Sequence, residues 1–561
     1  MGIYDKIRSF IFSNLVSTKH QTIGMEEECI LYTKENHRLP VNPGDEFSAT
    51  DLLAIMNENV GRNGIYSLEP GGQLEWSSPP YRDLNTLFTA IGKHKQALTE
   101  VVNANNLKII NYSLEPNYAP DDIDLINQLK YQLMNANMEQ NGTMGKWMMR
   151  NTTSIQINFD ITSERNLEDM TFVADCLQPV SAYLFANSPF QNGQPTGLEN
   201  TRSVIWENTD NFRCRNLINH GIESPERMID QYIDYIMGVP GIFELDHNGI
   251  IVSTNQTLGE RLIGLEKLGN LRTEDIQAAL HQIFTNVRLK NLLEVRGSDR
   301  PPMGYEMAPV AFWTSILTVE SIRDELLSVV KNWTVEDRHK FNKASLVLDD
   351  SQIGPDGKTY SEWNQWVGNL ALAGLKERSL DEEKFFDSFF EIVMEKAPLG
   401  CKRNSKIEMA ITMDQKKIHN FIWMPLFLIG LSAVVLGLGW LIHPEPWMLD
   451  QPPNEVLLQT SFHTLFADDI NAHLPDYLLV IYRFFGWWVI SIGLLTMTYI
   501  QVTKMGTALA RNSILGVLLI ILIGVAYMVF NFIPLSPFKI ALYLQSVMWL
   551  TSAYFSTQLQ D

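Results

Sequence analysis

Four short segments of this 561-residue chain alternate polar and apolar side chains, and their polar members are mostly carboxylates and amides, the oxygen ligands of hard cations. In IGMEEECILY, strand geometry puts Glu26 and Glu28 on one side and Glu27 on the other. In SLEPGGQLEW, Pro70, Gly71 and Gly72 break the run after Glu69 and permit close backbone approach, after which Gln73 and Glu75 share a side opposite Leu74. TSIQINFD sets Ser154, Gln156, Asn158 and Asp160 against Ile155, Ile157 and Phe159, and RLKNLLEVRGSD sets Glu294 and Arg296 against Leu293 and Val295. Each segment alone is compatible with the wet face of a half-exposed strand. Together they are too rich in Glu, Gln and Asn for ordinary wet faces.

If Glu26, Glu28, Glu69, Glu75 and Glu294 converge, their like charges must be neutralised or they repel the fold apart. About two or three Mg²⁺ ions would do this, since all-oxygen sites suit magnesium and magnesium suits nucleotide phosphates bridged between metals. There is no HExxH, no clustered Cys/His, no GxxxxGK[ST] and no strand-GxGxxG-helix, so a nucleotide would be held through metals and scattered basic residues. A second group, Arg202, Ser203 and Trp206 in ENTRSVIWENTD with Arg213 soon after, offers an arginine fork beside an aromatic ring. That pairing suits a carboxylate-bearing small molecule, and equally a surface arginine over a core tryptophan.

The elements that must carry these groups read as α+β: amphipathic helical stretches such as 84–103 and 166–177 alternate with period-two strands, with no internal repeat. A formal charge of -20, from 44 Lys plus Arg against 64 Asp plus Glu, argues against nucleic acid as a partner. From residue 402 onward nine basic residues balance nine acidic ones, so the whole negative excess lies earlier in the chain. Cys29, Cys176, Cys214 and Cys401 stand singly, which fits a reducing compartment rather than a disulfide framework or a zinc site. The start, MGIYDKIRSFIF, lacks the apolar run of a signal peptide, so the first part is expected in the cytosol.

Residues 421–442 run without a charge and are long enough to cross a bilayer; 477–502, 513–533 and 540–557 follow, the last being short. The segment before the first span is basic, whereas 443–476 has no Lys or Arg and six acidic residues, so that loop is expected to face outward. The division expected is a catalytic domain over 1–400, a basic linker over 401–419 and an all-α membrane domain over 420–561. That domain would be a bundle of about four helices with both chain ends inside, and membrane lipid would be its partner.

In order along the chain, IGMEEE, LEPGGQLEWSS, TTSIQINFD, LFANSPFQNGQPTG, TRSVIWENTD, YIDYIMGVP, FTNVRLKNLLEVRGSD and APVAFW together resemble the glutamate-cysteine ligase family in its plant and proteobacterial branch, itself similar in fold to glutamine synthetase. The resemblance implies a six-stranded antiparallel sheet curled into a funnel with surrounding helices, with metals and ATP on its polar face. It implies Glu26, Glu28, Glu69, Glu75, Gln156 and Glu294 as metal ligands, and Glu294 and Arg296 as catalytic residues. Gly71, Gly72 and Gln73, with Arg296, would contact the nucleotide. Arg202, Trp206, Thr152, Thr153 and Arg213 would contact substrate, with Arg150 substituting for the basic residue that the family pattern places where Asn151 stands.

The activity implied is the ATP-dependent joining of glutamate to cysteine through γ-glutamyl phosphate, the first step of glutathione synthesis, on the inner face of a bacterial cytoplasmic membrane. Another amine acceptor would leave the same sequence marks. A reading from a different class makes the membrane bundle a transporter or sensor of γ-glutamyl thiols, with the ligase-like part as its binding module. His443, His463 and His473 around the outer loop favour that reading, and the scarcity of ionisable residues inside the spans disfavours it.

Overall fold

The computed structural model describes residues 2–59, 63–395, 402–505 and 508–557, for 59, 402–418 and 508 as backbone only. It divides into two compact units, residues 1–407 and 408–561.

The first unit is built on six strands: β1 (Ile23–Cys29), β2 (Ile65–Leu68), β3 (Leu74–Ser77), β4 (Ser154–Phe159), β5 (Val287–Leu289) and β6 (Leu293–Asp299). They form one antiparallel sheet in the order β5-β6-β4-β1-β3-β2, as the resemblance implied. Register places Glu28 opposite Glu75, Glu26 opposite Gln156 and Glu294 opposite Asn158. Directly opposed residues share a face, so these side chains are gathered on one side of the sheet. The reverse side carries Met25, Trp76, Ile155, Ile157, Phe159, Leu293 and Val295, all buried, beneath the largely apolar helix Met307–Thr318, itself buried from Met307 to Leu317. Their removal from water is what holds the strands in register, because a one-residue slip would invert both faces.

Glu27 falls on that apolar side and is answered there. Arg300 Nε donates to its Oε1 at 3.1 Å, His94 Nε2 lies 3.6 Å from Oε2, and the imidazole stacks on Trp76 at 4.7 Å between ring centres. A buried charge survives only when paired in this way.

The expected helices form with small shifts at their ends. Leu84–Ala104 starts where Asp83 accepts the Thr86 N–H, and Glu164–Cys176 starts two residues early because Ser163 accepts from Asn166. Between β2 and β3 the chain turns tightly: Gly72 N donates to Glu69 O at 2.8 Å, Glu69 N to Gln73 O at 2.9 Å, and Gly72 adopts φ +78°. The turn sits against helix Gly145–Asn151, where a Cβ on Gly71 would lie 2.5 Å from Arg150 Cα.

The second unit contains helices Lys402–Ile442, Leu474–Thr503, Ala508–Asn531 and Phe538–Ser556. Three stretches, His419–Ile442, Asp469–Thr503 and Leu509–Asn531, are long and apolar enough to cross a membrane. All four expected helices form, and among the described residues three of them meet that measure. The last helix, Phe538–Ser556, forms, but Lys539, Gln545, Ser546, Thr551 and Ser552 lower its apolarity. The backbone of the expected basic linker is helical from Lys402 and continuous with the first span. Cys401 and the side chains of 402–418 lie outside the described residues.

The Gly71 contact makes a signed prediction. Gly71→Ala should cost about 1–3 kcal/mol by forcing backbone apart, read as a lower thermal midpoint, whereas Gly92→Ala on the exposed face of Leu84–Ala104 should gain about 0.5–1 kcal/mol. Equal effects from the two would show that the turn is not seated on the helix.

Candidate active site

One oxygen each from Glu28 on β1, Glu69 in the turn and Glu75 on β3 lie within 4.8 Å of one another. Among the described residues none of the three has an ion-pair partner. Gln156 Nε2 and Ser154 Oγ donate to Glu28 Oε1 at 2.7 and 3.0 Å, and Ser67 Oγ donates to Glu75 Oε1 at 2.7 Å. Burial, then the Glu75 charge, pushes Glu28 up to about 7. Burial followed by Glu28 raises Glu69, and burial followed by Glu69 and Glu26 raises Glu75. Glu26 completes the group, fixed by Asn158 Nδ2 at 2.9 Å.

Buried oxygens of Gln156 and Asn158 lack any donor. Converging carboxylates, amide oxygens with spare lone pairs and no counter-ion are the donor set of a hard divalent cation, so the residues present fit magnesium.

Glu294, on the same face, is surrounded by cations. Arg288 Nη2 donates to both its oxygens, at 2.7 and 2.9 Å, Lys290 pairs with it as well, and Arg296 Nε is 3.9 Å away. Although it is buried, these three cations hold its carboxyl well below the usual range. Of the six expected ligands, Glu28, Glu69 and Glu75 converge, Gln156 is hydrogen-bonded to Glu28, Glu26 is held by Asn158, and Glu294 sits among three cations. Arg288 and Lys290 were missed in the sequence, although Arg288 stands directly opposite Glu294 in the β5–β6 hairpin.

Arg296 and Arg202 stack on the Trp206 ring, at 5.0 and 5.5 Å from guanidinium carbon to ring centre. Their hydrogen bonds separate them. Arg202 is spent on the carbonyls of Gly297 and Arg296, at 3.3 Å each, and on Asp299 at 3.6 Å. Arg296 keeps a buried Nη1 without a partner, and Glu28 and Glu69 are among the charges that act on it. Its Nε faces Glu294 at 3.9 Å, which leaves Nη1 as the end without a hydrogen-bond partner.

The other expected contacts are placed in support roles. Gln73 Nε2 donates to Thr152 O at 3.0 Å and Thr152 Oγ1 to Met148 O at 2.7 Å, which locks the turn with Gly71 and Gly72 onto the helix. Thr153 is buried with its hydroxyl unpartnered. Arg150 donates to Pro120 O and Asn135 Oδ1, each at 3.1 Å. Arg213 is wholly buried, bound to Asp210 Oδ2 at 2.8 Å and Pro240 O at 2.6 Å, so its guanidinium braces the interior instead of facing a substrate. Lys130, Tyr131 and His281 come close enough to feel the site's charges: burial and then Glu69 raise Tyr131, while burial and then Arg288 lower His281 to about 4. They lie outside the alternating segments, and only the tertiary fold delivers them.

Sheet and site together belong to a known class. The chain matches Glutamate-cysteine ligase family 2 (GCS2) over residues 22–393, and it belongs to that family. A chloroplastic glutamate–cysteine ligase of Medicago truncatula is 32% identical over 344 residues, covering 60% of this chain and 66% of that one. The Arabidopsis thaliana chloroplastic enzyme is 29% identical over 388 residues, covering 67% of this chain and 73% of its own. The chain thus spans about two thirds to three quarters of these relatives' length. Among solved structures, a Francisella tularensis glutamate–cysteine ligase in complex with AMP aligns over 71% of this chain and 94% of its own, at 11% identity and a TM-score of 0.42. The family match ends before the second unit begins.

The carboxylate cluster sets a pH and metal dependence. A carboxyl raised from 4.5 to about 7, as Glu28 is, contributes stability that is complete below about pH 4.5 and is lost as pH rises through about 7. Metal-free protein should therefore melt lower at pH 8 than at pH 5 on this account. Mg²⁺ at a hundredfold excess over its Kd should restore about 2.7 kcal/mol at pH 8, and less at pH 5. Glu75→Gln should raise the metal-free melting temperature at pH 8 and blunt the Mg²⁺ increment. A Mg²⁺ increment of full size in the variant would show that the trio does not hold the ion.

Proposed function

We propose that this chain joins the γ-carboxylate of L-glutamate to the amine of L-cysteine at the expense of ATP, with Mg²⁺ held by Glu28, Glu69 and Glu75 and assisted by Glu26 and Gln156. The observation that carries this reading is the carboxylate trio without an ion-pair partner among the described residues, with Glu28 buried and Glu69 and Glu75 half-buried, beside Arg296, whose buried Nη1 lacks a hydrogen-bond partner. Family membership supplies the reaction class.

A carboxylate does not condense with an amine at neutral pH, so its oxygen first attacks the γ-phosphorus of ATP, the bond to ADP breaks, and an acyl phosphate results. The cysteine amine then attacks the acyl carbon, phosphate leaves, and the ammonium proton passes to solvent. Bound Mg²⁺ supplies charge neutralisation on the phosphates and on the transferred group. Arg296, flattened on Trp206, is preorganised to meet charge developing on the phosphoryl oxygens and costs little reorientation when it does so. Glu294 fixes Arg288 and Lys290, two more cations on the same rim, in one orientation. Cys29, Cys176 and Cys214 are buried, and burial pushes each thiol up to about 12, so none serves as a nucleophile and the route needs no covalent enzyme intermediate.

With Phe538–Ser556 as a fourth crossing beside the three longer apolar helices, the second unit anchors the protein in a bilayer, with the catalytic unit and both ends on the side of the basic flank, the cytoplasmic face of a bacterial membrane. Three sufficiently long apolar helices support this, and so do the Lys and Arg residues kept out of 443–476. Large apolar side chains such as Trp487, Leu495 and Ile520 point outward, as lipid-facing residues do.

The test is ATP turnover by the detergent-purified chain with Mg²⁺, glutamate and a panel of amines, products identified by mass. Cysteine-dependent release of ADP with γ-glutamylcysteine as product is expected, falling by roughly 10²–10³ or more in Arg296→Met and abolished in Glu28→Gln. Another preferred amine would keep the mechanism and change the acceptor. No turnover with any amine would overturn the reading.

A further inference from the structure

The geometry points to a binding site inside the second unit for an uncharged long-chain amphiphile whose head carries a hydroxyl. The inference rests on the reading that this unit lies in a bilayer.

The helices of this unit pack as two close pairs. His419–Ile442 and Leu474–Thr503 meet through glycines: a Cβ on Gly437 would lie 2.6 Å from Gly486 O, and one on Gly493 would lie 2.5 Å from Gly430 O. Ala508–Asn531 and Phe538–Ser556 pack along one another. At one end the pairs are closed together by Ile422, Leu426, Ile500, Leu515 and Leu518, and by Ser552 Oγ donating to Ile422 O at 2.8 Å. Beyond that plug they leave a cavity of about 580 Å³. Interiors seldom leave such space empty, and the volume falls within the range of small-molecule sites, about 300–1,000 Å³.

The wall is mostly apolar, with Thr496 and Gln545 among its polar side chains, and Trp440, Asp450, Asn454 and Tyr482 add a polar group beside the loop that follows the first helix. Two of these groups satisfy each other, Asn454 Nδ2 donating to Tyr482 OH at 2.9 Å. Asp450 is buried and holds Ser536 Oγ at 3.0 Å through Oδ1. Trp440 is 9% exposed, and its indole N–H has no acceptor, a donor left unpaired on an apolar wall.

Charge decides the class of ligand. Among the described residues the wall contains no Lys, Arg or His, and its one carboxylate is Asp450. A phosphate head would meet an acid and no cation, as a phospholipid or a nucleotide would. A hydroxyl head can accept from the Trp440 N–H and donate to the Asp450 carboxylate, while its chain lies between the helix pairs.

The experiment is photolabelling of the full chain in phosphatidylcholine nanodiscs with two probes, a diazirine-bearing long-chain alcohol and a diazirine-bearing phosphatidylcholine. The alcohol should label peptides around Ala433, Val489 and Val525, and unlabelled hexadecanol should compete. Gly524 lines the cavity and has nothing within 4 Å of its Cβ position, so Gly524→Phe introduces a bulky side chain there whose first atom meets no neighbour. Cavity labelling should fall at least roughly tenfold in that variant, a shift of one decade in apparent affinity. Ala541→Leu, on the neighbouring helix of the same pair, should lower it in the same way. Unchanged labelling in both variants, or cavity labelling by the phospholipid as strong as by the alcohol, would overturn the inference. The phospholipid probe separately reports embedding through the outward-facing Trp487, Leu495 and Ile520. If these stay unlabelled the bilayer reading fails, and the inference fails with it.

Discussion

Like charges held together without a counter-ion set the terms for the first unit. Glu28, Glu69 and Glu75 approach within 4.8 Å on a sheet face that excludes most water, and left alone they would push the strands apart or take up protons. The surrounding structure resists both. Gln156 and Ser154 hold Glu28 from the neighbouring strand, Ser67 holds Glu75, and the turn bearing Glu69 is pinned to helix Gly145–Asn151 by a contact that only glycine permits. The apolar layer on the other side supplies the free energy that keeps this arrangement standing.

The same sheet shows how a buried acid looks when its role is structural. Glu27, between Glu26 and Glu28 in sequence, turns to the apolar side and finds Arg300, which also meets Glu306, which in turn pairs with Lys95. Every charge in that chain has an opposite neighbour. Glu294 is on the front face but is likewise saturated, by Arg288 and Lys290. What separates the trio from these acids is the missing ion-pair partner among the described residues. An unsatisfied group that costs stability persists where a ligand supplies what is missing.

The sheet was legible because period-two alternation fixes which residues share a face, and burial of the other face fixes the register. Within each segment spacing alone put Glu26 with Glu28, Gln73 with Glu75 and Glu294 with Arg296, the family resemblance implied that the segments share one polar face, and the Pro-Gly-Gly break located the turn. Partner choice was not legible. Nothing in the spacing of Arg202, Arg213 and Arg296 says that the first braces two carbonyls, the second closes a buried pair with Asp210 and the third keeps an Nη1 without a hydrogen-bond partner. Those outcomes depend on residues far away in the chain, such as Pro240 and Asp299. Lys130, Tyr131 and His281 were invisible for the same reason, since they sit in segments whose own pattern says only helix or loop.

The second unit shows the limit of composition in another way. Phe538–Ser556 falls short as an apolar span because of its polar residues, yet these are among the groups that bind it to its neighbours. Gln545 donates to Ser432 at 2.8 Å, and Ser552 donates to a main-chain carbonyl at the same distance. In hydrocarbon, where apolar side chains gain nothing by leaving lipid for one another, such bonds and close glycine contacts are what join helices. A helix can therefore lose apolarity and gain membership of a bundle by the same substitutions. Hydropathy measures how readily a segment enters lipid alone, whereas the hydrogen bonds of Gln545 and Ser552 are made only once the other helices are there to receive them.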